Sequence, residues 1–273
     1  MPELPEVETV KKALEKVLIH HKIVATNTYI DKMRYSVDSL HDVKLNSEII
    51  AFRRRGRYII VELDSNQCYI IHLGMSGSMR VVVDNEPRKK HEHVLISLDN
   101  GMSWRFDCPR RFGFMVLEQL HERGNEPLIL AKLGIEPFDE KFTGGYLYKK
   151  IHKRKVKIKT LLMDNSIVVG VGNIYVNEVL FQCQISPYRT ADSISKKECE
   201  LLVKNIKEIL ARAIEAGGTT IADFKGVDGE EGKFVQELLV YGKHGENCPV
   251  CRNEIIKEVI GSRSAFYCKK CQK

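Results

Sequence analysis

The chain has 273 residues, 43% of them hydrophobic, and its 43 lysines and arginines outnumber 36 aspartates and glutamates to give a formal net charge of +7. That length suits two modest domains, each with enough apolar material for a core, and the positive excess points to a polyanionic partner. No apolar run approaches the roughly 18 residues needed to cross a bilayer, and the acidic opening is unlike a basic secretory signal, so the expectation is a soluble intracellular protein with no membrane partner.

The opening Met1-Pro2-Glu3-Leu4-Pro5-Glu6 admits two readings. Proline suits a first helical turn, and Glu3, Glu6 and Glu8 complement its positive end, so the segment can simply start a helix. With Met1 removed, however, the terminus is a secondary amine beside a carboxylic acid. An α-amino group titrates at about 8, so part of it is neutral and nucleophilic at physiological pH. Condensation with a sugar aldehyde gives an iminium, which is an electron sink, and Glu3 is near enough to move a proton. Behind this terminus Val7, Val10, Ala13, Leu14, Val17 and Leu18 recur at helical spacing and predict an amphipathic helix over residues 5–20.

The pattern then changes to short β-rich runs at residues 58–63, 68–73, 79–83, 94–98 and 102–106, separated by turns of Asp, Ser, Asn and Gly. They predict a β-sandwich of about 130 residues. Residues 132–148, with Gly134, Pro137, Gly144 and Gly145, read as a linker, and beyond it the periodicity is helical. A capping box, Ser195 with Glu198, opens a helix that runs through Leu202, Ile206, Ile209 and Ala213 to a stop at Gly217-Gly218. Thr219 to Lys233, rich in Gly and Asp, is expected to be a mobile loop.

Near the C-terminus, Cys248-Pro-Val-Cys251 and Cys268-Lys-Lys-Cys271 form two C-x2-C knuckles 16 residues apart. Two such turns facing each other complete a closed tetrahedral thiolate shell, which suits one structural Zn2+ and leaves no open position for metal catalysis. Cys68, Cys108, Cys183 and Cys199 are scattered and read as buried thiols.

Positive charge is clustered in Arg53-Arg-Arg-Gly-Arg57 and in residues 149–159, where seven of eleven positions are Lys or Arg. Such runs are often solvated faces, but two of them in a basic zinc-ribbon protein favour phosphate binding. Gly170-Val-Gly-Asn-Ile-Tyr175 offers a tight turn with exposed amides, a natural phosphate nest. His72-Leu-Gly-Met-Ser-Gly77 and Pro109-Arg-Arg-Phe-Gly113 place Met and Phe in turns beside a guanidinium, either as core residues or as wedges for a base stack. His91-Glu-His93 sets two imidazoles on one face of an extended segment, with no third ligand for a second metal.

In this order, with Leu162-Met-Asp-Asn165 and Gly217-Gly-Thr-Thr220, these motifs resemble bacterial formamidopyrimidine-DNA glycosylase over essentially the whole chain. The resemblance implies an α+β multidomain fold: an N-terminal catalytic β-sandwich with an N-terminal helix (1–131), a linker (132–148), a helix-two-turn-helix DNA-binding domain with a lesion loop (149–233) and a four-cysteine zinc-finger hairpin (234–273). It implies a monomeric, bifunctional base-excision repair enzyme of the bacterial cytoplasm, associated with the nucleoid through DNA. Such an enzyme excises 8-oxoguanine and formamidopyrimidines from duplex DNA through a Schiff base and cuts the strand by β,δ-elimination. The sister family, endonuclease VIII, which acts on oxidised pyrimidines, is less similar: it has Gly where Leu4 stands, and its wedge differs.

Carried onto this chain, the resemblance makes Pro2 the nucleophile at C1′ and Glu3 the acid that assists sugar opening. Met75, Arg110 and Phe112 match the residues that fill the gap left by an extruded lesion, with Arg110 facing the orphaned cytosine. His91, Lys155, Lys159 and Asn173 fall where the family grips phosphates, and Arg263, on the zinc-ribbon turn, matches the arginine of the second elimination. Where the family carries a lysine, this chain has Arg57, and a guanidinium is a poor proton donor. Arg57 is therefore a DNA contact whose catalytic part is open. A non-enzymatic zinc-ribbon binder of damaged DNA stands as the alternative from another class; an N-terminal-proline tautomerase would leave the ribbon and basic clusters unexplained.

Overall fold

The computed structural model describes residues 1–120, 122, 124–219 and 233–273. The expected mobile lesion loop and Thr220 therefore lie outside the described residues, apart from its ends Thr219 and Lys233. The chain divides into two compact units, one of Met1–Ala131 with Gly217–Lys233 and the other of Lys132–Ala216 with Phe234–Lys273.

The first unit opens with helix α1 (Leu4–Leu18) and continues through strands β1 (Ile23–Thr28), β2 (Ile49–Arg55), β3 (Tyr58–Leu63), β4 (Gln67–His72), β5 (Ser78–Val83), β6 (Glu92–Leu98), β7 (Met102–Asp107) and β8 (Phe114–Gln119). Two four-stranded antiparallel sheets result, ordered β1-β6-β7-β5 and β2-β3-β4-β8. Their facing side chains, including Ile59, Val61, Ile71, Val94, Ile96, Trp104 and Phe106, pack with Val7, Val10 and Leu14 of α1 into one core. Each such fully buried side chain is worth about 1.5–3 kcal/mol relative to exposure, so the apolar stripe of α1 fixes the helix, and with it the N-terminus, against the sandwich.

All five predicted strands form, and three more join them. β2 went unread because its second half is Arg53-Arg54-Arg55, whose charge hides the alternation. β1 buries only Ile23 fully. A buried ionic knot holds the β5–β6 connection. Arg105 is fully buried, donates to the carbonyls of Asp84 (3.2 Å) and Glu86 (2.8 Å), and lies 3.4 Å from Glu92 Oε2, while the other Glu92 oxygen takes Arg80.

The second unit contains helices α2 (Gly144–Ile151), α3 (Ile158–Leu162), α4 (Asn173–Gln182) and α5 (Lys196–Glu215), followed by the hairpin of β9 (Ile256–Ile260) and β10 (Arg263–Tyr267). The expected linker 132–148 thus needs correction at its end, since residues 144–148 are already helical, capped by Thr143 Oγ1 accepting from the Tyr146 amide at 3.1 Å. Gly144 is there for close approach: a Cβ on it would stand 2.8 Å from Glu200 Cα of α5. The α5 capping box forms as read, Ser195 Oγ accepting from the Glu198 amide and Glu198 Oε2 from the Ser195 amide. Among the described residues no helix is long and apolar enough to cross a membrane.

α4 seats the ribbon. The buried Glu178 carboxylate accepts three successive backbone N–H groups, from Leu239 (2.8 Å), Val240 (3.0 Å) and Tyr241 (2.8 Å), and Asn177 Oδ1 accepts from the Phe266 amide at 2.8 Å. A small core of Phe181, Val240, Cys248, Ile255, Phe266 and Cys268 lies beneath.

Candidate active site and nucleic-acid interface

Pro2 and Glu3 are both buried at the head of α1. The Glu3 amide donates to Glu6 Oε2 at 2.8 Å, and Glu6 Oε1 accepts from the Thr219 amide (2.8 Å) and from Thr219 Oγ1 (2.9 Å). One buried carboxylate therefore ties the N-terminal end of the helix to the first residue after the Gly217-Gly218 stop. Sequence reasoning gave Glu6 only a helix-dipole role. Its spacing from Glu3 hinted at a reciprocal cap, but nothing local could announce Thr219.

Arg57 is the second residue of the β2–β3 turn, is 8% exposed, and places Nη1 3.9 Å from Met1 Sδ. The structure thus brings Arg57 to the N-terminus. Next to it opens a cleft of about 560 Å3 lined by Met1, Arg34, His72, Met75, Arg110 and Phe112, among others. The two turns of this cleft pack backbone against backbone. Gly74 has φ +68°, and a Cβ there would stand 2.6 Å from the Phe112 carbonyl carbon and 2.9 Å from Gly113 Cα, so no other residue permits the approach. Phe112 is 53% exposed with the Arg110 guanidinium 5.4 Å from its ring centre, which removes the core reading for it.

His72 belongs to this site although the sequence assigned it no role. Its Nδ1 accepts from the Gly74 amide at 3.0 Å, which leaves the ring hydrogen on Nε2, and burial, reinforced by Arg57 and Arg34, pushes the imidazole down to about 4. It is neutral at pH 7. Because the folded value is depressed, the stability this group contributes is present above its ordinary 6.5 and is lost as pH falls towards 4, the unfolded chain taking up the proton first. Urea unfolding at pH 7 and pH 5 is therefore expected to show a smaller pH dependence for His72→Gln than for the wild type; equal dependences would mean that His72 is not held neutral.

Of the His91–His93 pair, His91 is partly exposed and His93 is buried, with its pKa lowered by burial and by Arg111. The pair is thus not a doubly exposed face. The His91 carbonyl accepts from the Cys108 amide at 2.9 Å, which fixes it beside the turn of Arg110 and Phe112.

In the basic run at the end of β2, the three arginines ahead of Gly56 each meet a carboxylate. Arg53 bonds Glu62 (2.6 Å), Arg54 bonds Glu8 (2.7 Å) and Arg55 bonds Glu126 (2.6 Å), so acids scattered through the first unit meet this charge internally.

In the second unit Lys155 is exposed between α2 and α3, whereas Lys159 is only 1% exposed and donates to Asn173 Oδ1 at 2.6 Å. Lys159 therefore orients Asn173, the first residue of α4, instead of standing on the surface. Arg263 is exposed at the start of β10, opposite Ile260, and a Cβ on Gly261 of the adjoining hairpin turn would stand 3.0 Å from Oγ1 of Thr160, the neighbour of Lys159. The same unit thus gathers Lys159, Asn173 and the hairpin of Arg263.

The four knuckle sulfurs lie within 4.8 Å of one another, with Cys251 and Cys268 Sγ 3.4 Å apart and Cys248 and Cys271 Sγ 3.8 Å apart. Thiolates held at about 2.3 Å around a tetrahedral zinc stand about 3.8 Å from each other, so the donor set fits one structural Zn2+. Among the described residues no other His, Cys, Asp and Glu cluster could hold a metal.

Three family models account for most of the chain: "Formamidopyrimidine-DNA glycosylase N-terminal domain" over residues 1–115, "Formamidopyrimidine-DNA glycosylase H2TH domain" over 133–225 and "Zinc finger found in FPG and IleRS" over 245–273. Sandwich, helical unit and four-cysteine ribbon together define the class as a zinc-finger DNA glycosylase. The chain is 47% identical to a formamidopyrimidine-DNA glycosylase of Pasteurella multocida and 45% identical to that of Cronobacter sakazakii, each matched over 100% of both chains. It is also similar to wild-type Lactococcus lactis Fpg in complex with DNA containing N7-benzyl-Fapy-dG, and to MutM in complex with DNA containing carbocyclic 8-oxo-G. Both have 34% identity, a TM-score of 0.91 and full coverage of the two chains. The chain belongs to the formamidopyrimidine-DNA glycosylase family, base-excision repair enzymes that remove oxidised purines from DNA.

Proposed function

We propose that this enzyme, acting as a monomer on chromosomal DNA in the bacterial cytoplasm, excises 8-oxoguanine and formamidopyrimidines from duplex DNA and then cuts the strand. The observation that carries the reading is the placement of Arg57 at the N-terminus, at the edge of a cleft that presents an exposed Phe112. A cation at the N-terminus suits a phosphate beside the reacting sugar, and an exposed aromatic suits entry into a base stack once a nucleotide is extruded.

Once Met1 is removed, the neutral Pro2 nitrogen attacks C1′, the glycosidic bond breaks and the base leaves with a proton. Glu3 protonates the ring oxygen as the sugar opens, leaving a Pro2 iminium. Loss of a C2′ proton then expels the 3′ phosphate, and a second elimination, with Arg263 at the leaving phosphate, expels the 5′ phosphate. Met75, Arg110 and Phe112 fill the vacated stack, with Arg110 facing the orphaned cytosine. His91, Lys155 and Asn173 hold backbone phosphates, and Lys159 serves the same contact by fixing Asn173. By domain, residues 1–131 carry the chemistry, while 149–233 and the finger at 234–273 grip the duplex.

Arg57 gives the sharpest test. A guanidinium with a pKa above about 12 keeps a phosphate-anchoring charge but transfers protons poorly. If anchoring is the main role, base release and strand nicking stay coupled, and Arg57→Lys changes either rate by less than about threefold, well under the roughly tenfold that losing a charge-assisted hydrogen bond of about 1.5 kcal/mol costs. Single-turnover base release and strand cleavage on one 8-oxoguanine duplex measure this. A lag before nicking that Arg57→Lys abolishes would instead assign position 57 to proton transfer; absence of both reactions would sink the glycosylase reading.

A further inference from the structure

The triple arginine ahead of Arg57 takes no part in the chemistry above, yet its geometry is specific. Alternation along β2 sends Arg53 and Arg55 to one face and Arg54 to the other, the face on which Phe52 enters the core. Arg54 Nε donates to Glu8 Oε2 at 2.7 Å, and Arg54 Nη1 donates to the Gly56 carbonyl at 3.0 Å. Both side chains of the pair are largely shielded, at 10% and 16% exposure. Glu8 stands on α1 behind Pro2 and Glu3, and the Gly56 carbonyl belongs to the peptide that leads into Arg57. One planar guanidinium therefore bridges the helix of the nucleophile and the turn of the anchoring cation.

We propose that Arg54 is a positioning residue that holds the Pro2 amine and the Arg57 guanidinium in register, an inference that rests on the roles given above to those two groups. A fork with fixed N–H directions suits this better than a flexible ammonium, because its two bonds constrain both partners at once. Misplacement of a nucleophile by about 1 Å can cost up to about a hundredfold in rate. The glutamate on the helix and the strand's side-chain alternation select position 54 for this task; Arg53 and Arg55 hold Glu62 and Glu126 instead.

The test measures single-turnover borohydride trapping at saturating enzyme, together with duplex affinity, on an 8-oxoguanine duplex. It compares the Met1-free wild type with Arg54→Gln, Glu8→Gln, the double variant, and Arg55→Gln as a control that removes a neighbouring pair. Arg54→Gln is expected to slow trapping by about ten- to a hundredfold while duplex affinity stays within about twofold. The double variant should be no slower than Arg54→Gln, since the two side chains act as one unit, and Arg55→Gln should trap at the wild-type rate. Unchanged trapping by Arg54→Gln, a parallel loss of duplex affinity, or an equal slowing by Arg55→Gln would each overturn the proposal. Failure of the wild-type protein to trap at all would instead strike the Pro2 assignment.

Discussion

A form of the enzyme that keeps Met1 should give no borohydride-trapped adduct with 8-oxoguanine DNA, while binding the same duplex about as tightly as the processed form. With Met1 attached, the Pro2 nitrogen is a tertiary amide whose lone pair is delocalised into the carbonyl, so it can neither attack C1′ nor carry an iminium. Pro2 lies at the head of α1, which the core holds in place with or without the extra residue. His91, Lys155 and Asn173, phosphate contacts in our reading, do not depend on Met1, so the loss falls chiefly on chemistry. Intact mass of each preparation, followed by trapping and a titration of duplex binding, checks this. Trapping at wild-type yield by protein of verified Met1-containing mass would remove Pro2 from the mechanism.

Cys268→Ser should cost the opposite property. Structural zinc in isolated finger peptides supplies about 10–16 kcal/mol of apparent binding free energy, which in so small a module is its folding free energy. Here Cys248 and Cys268 are also part of the small core beneath the hairpin, so losing one thiolate removes both a ligand and packing. The hairpin carries Arg263 and rests on α4 through Asn177, while Glu178 of α4 holds residues 239–241 ahead of it; the first residue of α4, Asn173, is a phosphate contact in our reading. Duplex affinity is therefore expected to fall by at least about tenfold at fixed salt, with a shallower salt dependence as phosphate contacts are lost. Zinc content by mass spectrometry and binding measured at two salt concentrations test it; a folded, metal-free variant with wild-type affinity would falsify the structural assignment of the zinc.

The readings that the sequence carried are those whose physics is local. Two C-x2-C knuckles place four thiolates by turn geometry alone, and the Ser195–Glu198 cap spans three residues. The five β runs and the stripe of α1 need only the alternation of a strand and the turn of a helix. The Met75 and Phe112 turns were recognisable because glycine at positions 74 and 113 leaves a visible mark, although only the packed backbones explain why it is required.

What the tertiary structure decided is the partner of each charge. Glu6 and Thr219 are 213 residues apart in sequence, and Arg55 and Glu126 are 71 apart, so no periodicity can join them. A run of arginines looks the same whether phosphate or an internal carboxylate will neutralise it. Composition therefore favoured DNA for Arg53, Arg54 and Arg55, where folding supplies Glu62, Glu8 and Glu126. Lys159 sits in a basic run yet is buried against Asn173, and His72 is kept neutral by burial and two neighbouring arginines. Side-chain spacing along the chain is fixed by covalent geometry, so motifs and caps are written in the sequence. Ionic pairing and burial depend on which distant segments meet, and that is settled only when the two sheets and α1 close on their core.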